Sequence, residues 1–118
     1  MASILIIDDE VRLCESLRAF LKKDLHEVRV ASSAERGIRL AKASPPDVVF
    51  LDIRLPKMDG LTAVSEIRNV AADSTIVVMT AFGTLDSAAT ALKKNVYEYL
   101  VKPFSLETIK AVLDRALE

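Results

Sequence analysis

Short apolar runs alternate along the chain with longer segments of helical periodicity. The runs are rich in β-branched residues and predict five strands, over 3–7, 27–31, 47–51, 75–79 and 96–101. The segments between them repeat their apolar positions with helical spacing and predict five helices, over about 10–24, 33–43, 60–71, 84–94 and 105–117. Residues that can cap a helix or occupy its first turn stand near four of these starts: Ser33, Asp59, Thr84 and Ser105.

The alternation of strands and helices predicts the fold class. Parallel neighbouring strands need a crossover, so five strand and helix pairs indicate a parallel sheet covered by helices on both faces. We therefore expect a doubly wound α/β domain with the common strand order 2-1-3-4-5. The runs at 3–7 and 47–51 are the most uniformly apolar, as in central strands, whereas 96–101 alternates and fits an edge strand with Glu98 pointing outward.

Composition narrows the class of protein. A length of 118 residues fits one domain over 1–118. The 16 basic and 17 acidic residues give a formal net charge of −1, so we expect no direct nucleic-acid or membrane binding. No apolar run reaches the roughly 20 residues that span a bilayer. The single cysteine, Cys14, and an N-terminus unlike a signal peptide predict a cytoplasmic protein.

Chemically active side chains stand where the predicted strands end. In doubly wound folds, ligands bind at the carboxyl ends of the strands. The first predicted strand ends at Asp8, Asp9 and Glu10. The third ends at Asp52, the fourth at Thr80 and the fifth at Lys102, whereas the second ends at no such residue. If the first and third strands are neighbours, Asp8, Asp9 and Asp52 meet at one small site.

A cluster of three carboxylates requires a compensating cation, because the like charges raise one another's pKa. Oxygen ligands without His or Cys suit a hard ion such as Mg²⁺. Lys102 adds a positive charge, so the metal-loaded cluster is close to neutral and can accept a dianionic phosphoryl group. Asp52 is thus predicted to be a nucleophile that attacks phosphorus from the end of a rigid strand.

Four stretches together carry a family resemblance: IIDDE, LDIRLPKMDG, VVMTAFGT and YEYLVKPF. In this order and spacing they resemble the receiver domain of response regulators in two-component signalling, over essentially the whole chain. AFGT and ALKK are most similar to receivers of the nitrogen-regulator class of transcription activators. The resemblance implies a flavodoxin-like fold and Mg²⁺ as cofactor, with Mn²⁺ as an alternative.

The resemblance also implies metal-binding and phospho-accepting roles. Asp52 is similar to the phospho-accepting aspartate, and Asp9 and Asp52 to direct Mg²⁺ ligands. Asp8 resembles an acidic partner that acts mainly through metal-bound water. The backbone carbonyl of Arg54 resembles the remaining protein ligand.

Three further residues resemble the family's response machinery. Thr80 is similar to the hydroxyl residue that bonds a phosphoryl oxygen, Lys102 to the lysine that pairs with the same group, and Tyr99 to the aromatic switch. Lys102-Pro103 is similar to the family's cis peptide.

The implied function is a switch that a histidine kinase phosphorylates on Asp52. The protein would catalyse its own phosphorylation and slow dephosphorylation, while acting mainly as a regulator. Phosphorylation would reshape the face made by the fourth predicted helix, the fifth strand and the fifth helix. That face would bind an output domain or a downstream protein, or form a phosphorylation-dependent dimer. The sequence fits both an excised domain and a stand-alone regulator.

Several residues have simpler interpretations. Glu10 is assigned to favourable electrostatics at the start of a helix, without metal contact. Asp59 is assigned to a turn or helix cap in preference to a fourth metal ligand. His26 lies before the second strand and is assigned to the surface or to packing. Cys14 lies on an apolar helix face and is assigned to the inert core.

Two other functions compete with the switch. A haloacid dehalogenase-like phosphatase also uses an aspartate nucleophile, but its second acidic residue, the general acid, corresponds here to Arg54 in D-I-R. A binding module with a vestigial pocket is the third candidate. The complete set of strand-end residues argues against it.

Overall fold

The computed structural model describes residues 2–55, 57–80 and 96–118. The strands are β1 Ser3–Ile7, β2 Glu27–Ala31, β3 Val48–Asp52, β4 Thr75–Thr80 and β5 Glu98–Val101. The described helices are α1 Val11–Lys22, α2 Ala34–Ala43, α3 Gly60–Val70 and α4 Leu106–Ala116, the last being the fifth predicted helix. The predicted helix over 84–94, with Thr84 near its start, lies outside the described residues.

All five strands are parallel and follow the order β2-β1-β3-β4-β5, as predicted. In this register Ile7 of β1 lies beside Leu51 of β3, so that β1 and β3 end almost level. Thr80, the last residue of β4, pairs with Val101, the last residue of β5. The carboxyl ends of β1, β3, β4 and β5 therefore lie at one edge of the sheet, together with the residues that end or directly follow these strands. This is the doubly wound, flavodoxin-like fold expected from the sequence.

Two apolar layers cover the sheet, and alternate residues of the central strands belong to each. Leu5 and Val49 pack in the layer that includes residues of α2 and α3, whereas Ile6 and Phe50 pack in the layer that includes residues of α1 and α4. Both faces of β1 and β3 are buried, which is why their sequences are continuously apolar. The central strands therefore hold the residues at their ends in fixed positions.

Side-chain caps fix the starts of three helices. Ser33 accepts a hydrogen bond from the Arg36 N–H at the start of α2, and Asp59 and Ser105 accept equivalent bonds at α3 and α4. These three predicted capping residues are confirmed. The residue before α1, Glu10, makes no such bond, so its carboxylate is free to serve elsewhere. Within the described ranges, every helix is too short or too polar to cross a bilayer.

Candidate functional site

Three carboxylates meet at the carboxyl edge of the central strands. Each of Asp8, Asp9 and Asp52 offers an oxygen, and these three atoms all lie within 4.8 Å of one another. Asp8 and Asp52 are buried, with 1% and 6% of their surface exposed, whereas Asp9 is exposed. The cluster is thus built on two rigid strands and is open to solvent on the side of Asp9.

Hydrogen bonds hold the Asp8 carboxylate in one orientation. Its Oδ1 accepts the Glu10 backbone N–H at 2.8 Å, and its Oδ2 accepts the Lys102 ammonium at 2.7 Å. Its backbone N–H donates to the Ala31 carbonyl at 3.0 Å, and its carbonyl accepts from Cys14 Sγ at 3.3 Å. Asp8 is therefore fixed by β2, α1 and the end of β5 together.

Asp52 is held from two directions. Its Oδ1 accepts the Arg54 backbone N–H at 2.8 Å, which orients the carboxylate plane. The next residue, Ile53, continues the ladder by donating its N–H to the Met79 carbonyl at 3.1 Å. The other oxygen, Oδ2, lies 3.3 Å from Lys102 Nζ. This longer contact leaves Oδ2 the less restrained of the two oxygens.

Lys102 joins the carboxylates from the end of β5. Its ammonium lies 2.7 Å from Asp8 Oδ2, 3.3 Å from Asp52 Oδ2 and 2.9 Å from Glu10 Oε1, and only 11% of its side chain is exposed. Its backbone N–H donates to the Thr80 carbonyl at 2.6 Å, which ties it to the end of β4.

Sequence reasoning missed the contact between Glu10 and Lys102. It assigned Glu10 to helix-start electrostatics without metal contact and did not foresee that the side chain pairs with Lys102. A signal for this was present in the sequence, because Glu10 and Lys102 both follow strands that end at the same edge of the sheet.

Burial and neighbouring charges shift the pKa values of Asp8, Lys102 and Cys14. Burial raises the pKa of Asp8 and the Asp52 charge adds to this rise, outweighing the hydrogen bonds from Lys102 and from the Glu10 N–H. Burial disfavours the charged form of Lys102, but its hydrogen bonds to Asp8 and Glu10 and its attraction to the carboxylates prevail, so its pKa is raised. Burial, reinforced by Asp8, raises the pKa of Cys14 to about 11. Cys14 is therefore a neutral thiol, and it is buried in the apolar core as predicted.

The donor set fits a hard divalent cation. The three clustered ligand residues offer carboxylate oxygens only, and Mg²⁺ and Mn²⁺ prefer such ligands. A cation here would offset the Asp52 charge, which adds to the effect of burial in raising the pKa of Asp8. His26 is remote, since its Nδ1 accepts the Ala2 N–H beside the start of β1, at the opposite end of that strand. Asp59 is occupied as a cap, where its carboxylate accepts both the N–H and the hydroxyl of Thr62.

The remaining predicted residues lie on β4 and β5 or directly after β5. Thr80 is fully buried at the end of β4, and Tyr99 on β5 is half-buried against the layer that includes α2 and α3. The Lys102-Pro103 peptide is cis, as expected. Metal binding by the Arg54 carbonyl and switching by Tyr99 remain predictions.

The sequence matches a family over nearly its whole length. The profile of the response regulator receiver domain matches residues 4–114. Regulatory protein AtoC of Escherichia coli K12 is 33% identical over 115 residues, which cover 98% of this chain and 25% of AtoC. Transcriptional regulatory protein ZraR of the same organism is 31% identical over 114 residues, which cover 97% of this chain and 26% of ZraR. The chain thus spans about a quarter of the length of the curated relatives it matches.

Solved structures give the same assignment. A two-component response regulator from Clostridium difficile superposes with a TM-score of 0.91 at 33% identity, with 99% of this chain and 96% of that chain covered. NtrX from Brucella abortus, solved in complex with ATP, gives 0.88 at 31% identity, with 98% and 27% covered. Similarity to AtoC, ZraR and NtrX agrees with the expected nitrogen-regulator class. The chain therefore belongs to the response regulator receiver domain family.

Proposed function

We propose that residues 1–118 form one receiver domain that accepts a phosphoryl group from a histidine kinase onto Asp52. The observation that carries this proposal is the position of Asp52, buried at the end of β3, clustered with Asp8 and Asp9 and faced by Lys102. An isolated buried carboxylate would be protonated or paired. One that shares a metal-type cluster with a lysine is suited to attack a phosphorus atom.

The transfer exchanges one bond to phosphorus for another. An Asp52 carboxylate oxygen attacks the phosphorus of a phosphohistidine, a P–O bond forms, and the P–N bond breaks. The departing imidazole nitrogen keeps the electron pair of that bond. Lys102 donates to a phosphoryl oxygen and offsets its charge. Water later attacks the acyl phosphate, which releases inorganic phosphate and restores the Asp52 carboxylate.

Residues around Asp52 would hold the cation that this chemistry needs. Asp9, Asp52 and the Arg54 carbonyl are the proposed direct ligands, with Asp8 acting mainly through metal-bound water. When bound, Mg²⁺ or Mn²⁺ neutralises charge on the transferred phosphoryl group. Asp9 suits this role because it is the exposed member of the cluster, and an incoming ion meets it first.

We further propose that Thr80 and Tyr99 convert phosphorylation into a signal. A phosphoryl oxygen offers the Thr80 hydroxyl a charge-assisted hydrogen bond that draws the end of β4 toward the site. Tyr99 then turns inward on the neighbouring strand, and the face that includes β5 and α4 changes shape. A few kcal/mol of differential stabilisation is enough for such a population shift. An output domain, a downstream protein or a second copy of the chain would bind that face.

The competing phosphatase function lacks a proton donor. Residue 54, two positions after the nucleophile, is arginine, which cannot protonate a leaving group at neutral pH. A vestigial binding pocket would not need an ammonium group aimed at Asp52. The switch is therefore the function that the geometry supports best.

Acetyl phosphate with Mg²⁺ separates the three functions. The switch predicts one phosphoryl adduct in the intact mass, removed by hydroxylamine, absent in chelator and absent in Asp52→Asn. A phosphatase would release phosphate from many small esters without accumulating the adduct. A vestigial pocket would give neither result.

The coupling role of Thr80 has a separate test. Beryllofluoride with Mg²⁺ mimics the phosphoryl group and allows amide chemical shifts to be recorded along residues 84–110. We expect Thr80→Ala to bind it while showing much smaller shifts, and Lys102→Ala to lose both binding and response. Shifts of wild-type size in Thr80→Ala would exclude the hydroxyl as the link.

A further inference from the structure

All three N–H donors of the Lys102 ammonium are matched by carboxylates. The acceptors are Asp8 Oδ2 at 2.7 Å, Glu10 Oε1 at 2.9 Å and Asp52 Oδ2 at 3.3 Å. A lysine ammonium has only three such donors. A phosphoryl oxygen can therefore bind Lys102 only by displacing a carboxylate that already holds it.

The three carboxylates differ in how easily they can leave. The Asp8 side chain is fully buried and also accepts the Glu10 N–H, so releasing it would strand a buried charge. Asp52 is the residue that carries the phosphoryl group. The Glu10 side chain is 58% exposed, and water can replace the ammonium there with little loss. Glu10 is thus the partner that Lys102 can exchange.

The surface beside Glu10 provides room for that exchange. An open groove of about 400 Å³ lies next to the cluster and is lined by Glu10, Leu13, Lys102, Pro103 and Phe104. The Glu10 carboxylate can rotate away from Lys102 into this open groove without disturbing α1, because it makes no cap bond to the helix.

We infer that Glu10 is a positioning residue, which occupies the third donor of Lys102 in the unphosphorylated site and yields it to a phosphoryl oxygen. The inference rests on the proposed function. Glu10 opposes phosphoryl binding in two ways, since it competes for the same N–H donor and adds a like charge nearby. Glu10 thus sets the position of Lys102 in the unphosphorylated site and weakens the binding of a phosphoryl group at Asp52.

Beryllofluoride affinity at saturating Mg²⁺ tests this inference. We expect Glu10→Gln to bind beryllofluoride about two- to fivefold more tightly than the wild type, because a partly exposed ion pair is weak. The matched control is Glu15→Gln, which makes the same charge change at an exposed position within α1 and should not differ from the wild type. The gain should shrink at high salt, where exposed charges are screened.

Glu10→Asp separates a direct contact from a general field. Its carboxylate keeps the charge but reaches one methylene less far, so a contact role predicts an affinity close to that of Glu10→Gln. Equal affinities in Glu10→Gln and Glu15→Gln, or a wild-type affinity in Glu10→Asp, would overturn the inference while leaving phosphorylation of Asp52 intact. Failure of the wild type itself to bind beryllofluoride would overturn the proposed function and this inference with it.

Discussion

Strand β3 has an aspartate at each end, and the two residues differ in their burial and in the groups that surround them. Asp47, just before the strand, is exposed, and its Oδ2 accepts the Ser3 N–H at 2.8 Å. Its backbone also bonds to Ser3 and Thr75, at 2.8 and 2.9 Å. Asp52, the last residue of the strand, is buried among other carboxylates and faces an ammonium.

The difference shows that surroundings, and not residue type, make an aspartate reactive. Asp47 uses its carboxylate and its backbone to join the starts of β1, β3 and β4, and no other charged side chain takes part in those bonds. Asp52 stands where the chain leaves the sheet and loops from neighbouring strands bring further charges together. The first aspartate is a structural link, and the second belongs to a site.

The largest expected effect is on phosphorylation. Asp52→Asn keeps the side-chain shape but removes the nucleophile, so uptake from acetyl phosphate should fall below detection. Asp47→Asn is the matched control on the same strand and should be phosphorylated like the wild type. Intact-mass measurements under identical conditions check both. A stable adduct of undiminished yield in Asp52→Asn would refute the contrast between the two ends.

The next effect concerns the metal. Asp9→Ala removes the exposed carboxylate of the cluster and should weaken Mg²⁺ binding at least about tenfold, a typical loss for residues that support a metal site. Glu10→Ala removes a charge that pairs with Lys102 and should change the affinity much less. Calorimetric titration with Mg²⁺ gives both values. Equal losses would mean that the strand-end register at Asp9 and Glu10 is wrong.

Substitutions at the two ends of β3 should differ in their effect on stability in chelator. Asp47→Ala removes the acceptor of the Ser3 N–H and should lower the free energy of unfolding by about 0.5–1 kcal/mol. Asp52→Asn relieves repulsion in an overcharged cluster and should leave that free energy unchanged or raise it by up to about 1 kcal/mol. Denaturant titrations compare them. A clear loss of stability in Asp52→Asn would argue against a crowded acidic site.

The smallest effect is a pH dependence at Asp8. Because its pKa is raised in the folded state, the ionised form opposes folding at neutral pH, and this opposition disappears as the pH falls through the folded-state pKa. Asp8→Asn cannot ionise. In chelator, its stability relative to the wild type should therefore be most favourable near neutral pH and decline with acid. A difference that is constant with pH would contradict the raised pKa.

Much of the fold could be predicted from the pattern of apolar residues, because a strand that is buried on both faces needs apolar residues at successive positions. The continuous runs of β1 and β3 identified the central strands. Ser33, Asp59 and Ser105 marked helix starts, because their side chains accept hydrogen bonds from backbone N–H groups of the first helical turn. The acidic cluster followed from strand order alone. Its members needed only to stand at the ends of neighbouring strands.

Side-chain choices at the site were harder to predict. The contact of Glu10 with Lys102 depends on the orientation of the long Glu10 side chain, and the periodicity of the sequence does not specify that orientation. The predicted carboxyl ends of β3 and β4 each fell one residue too early, since Asp52 and Thr80 continue the sheet ladder despite being polar. Polar residues at strand ends resemble loop residues in sequence, although here they are part of the strands.

A crystal structure with Mn²⁺ and beryllofluoride would test the central claim most directly, because anomalous scattering locates the metal independently of its ligands. We expect manganese bound by Asp9, Asp52 and the Arg54 carbonyl, and beryllium bonded to an Asp52 carboxylate oxygen with Lys102 donating to a fluorine. Manganese away from the Asp8, Asp9 and Asp52 cluster, or beryllium bonded to any other residue, would contradict the account.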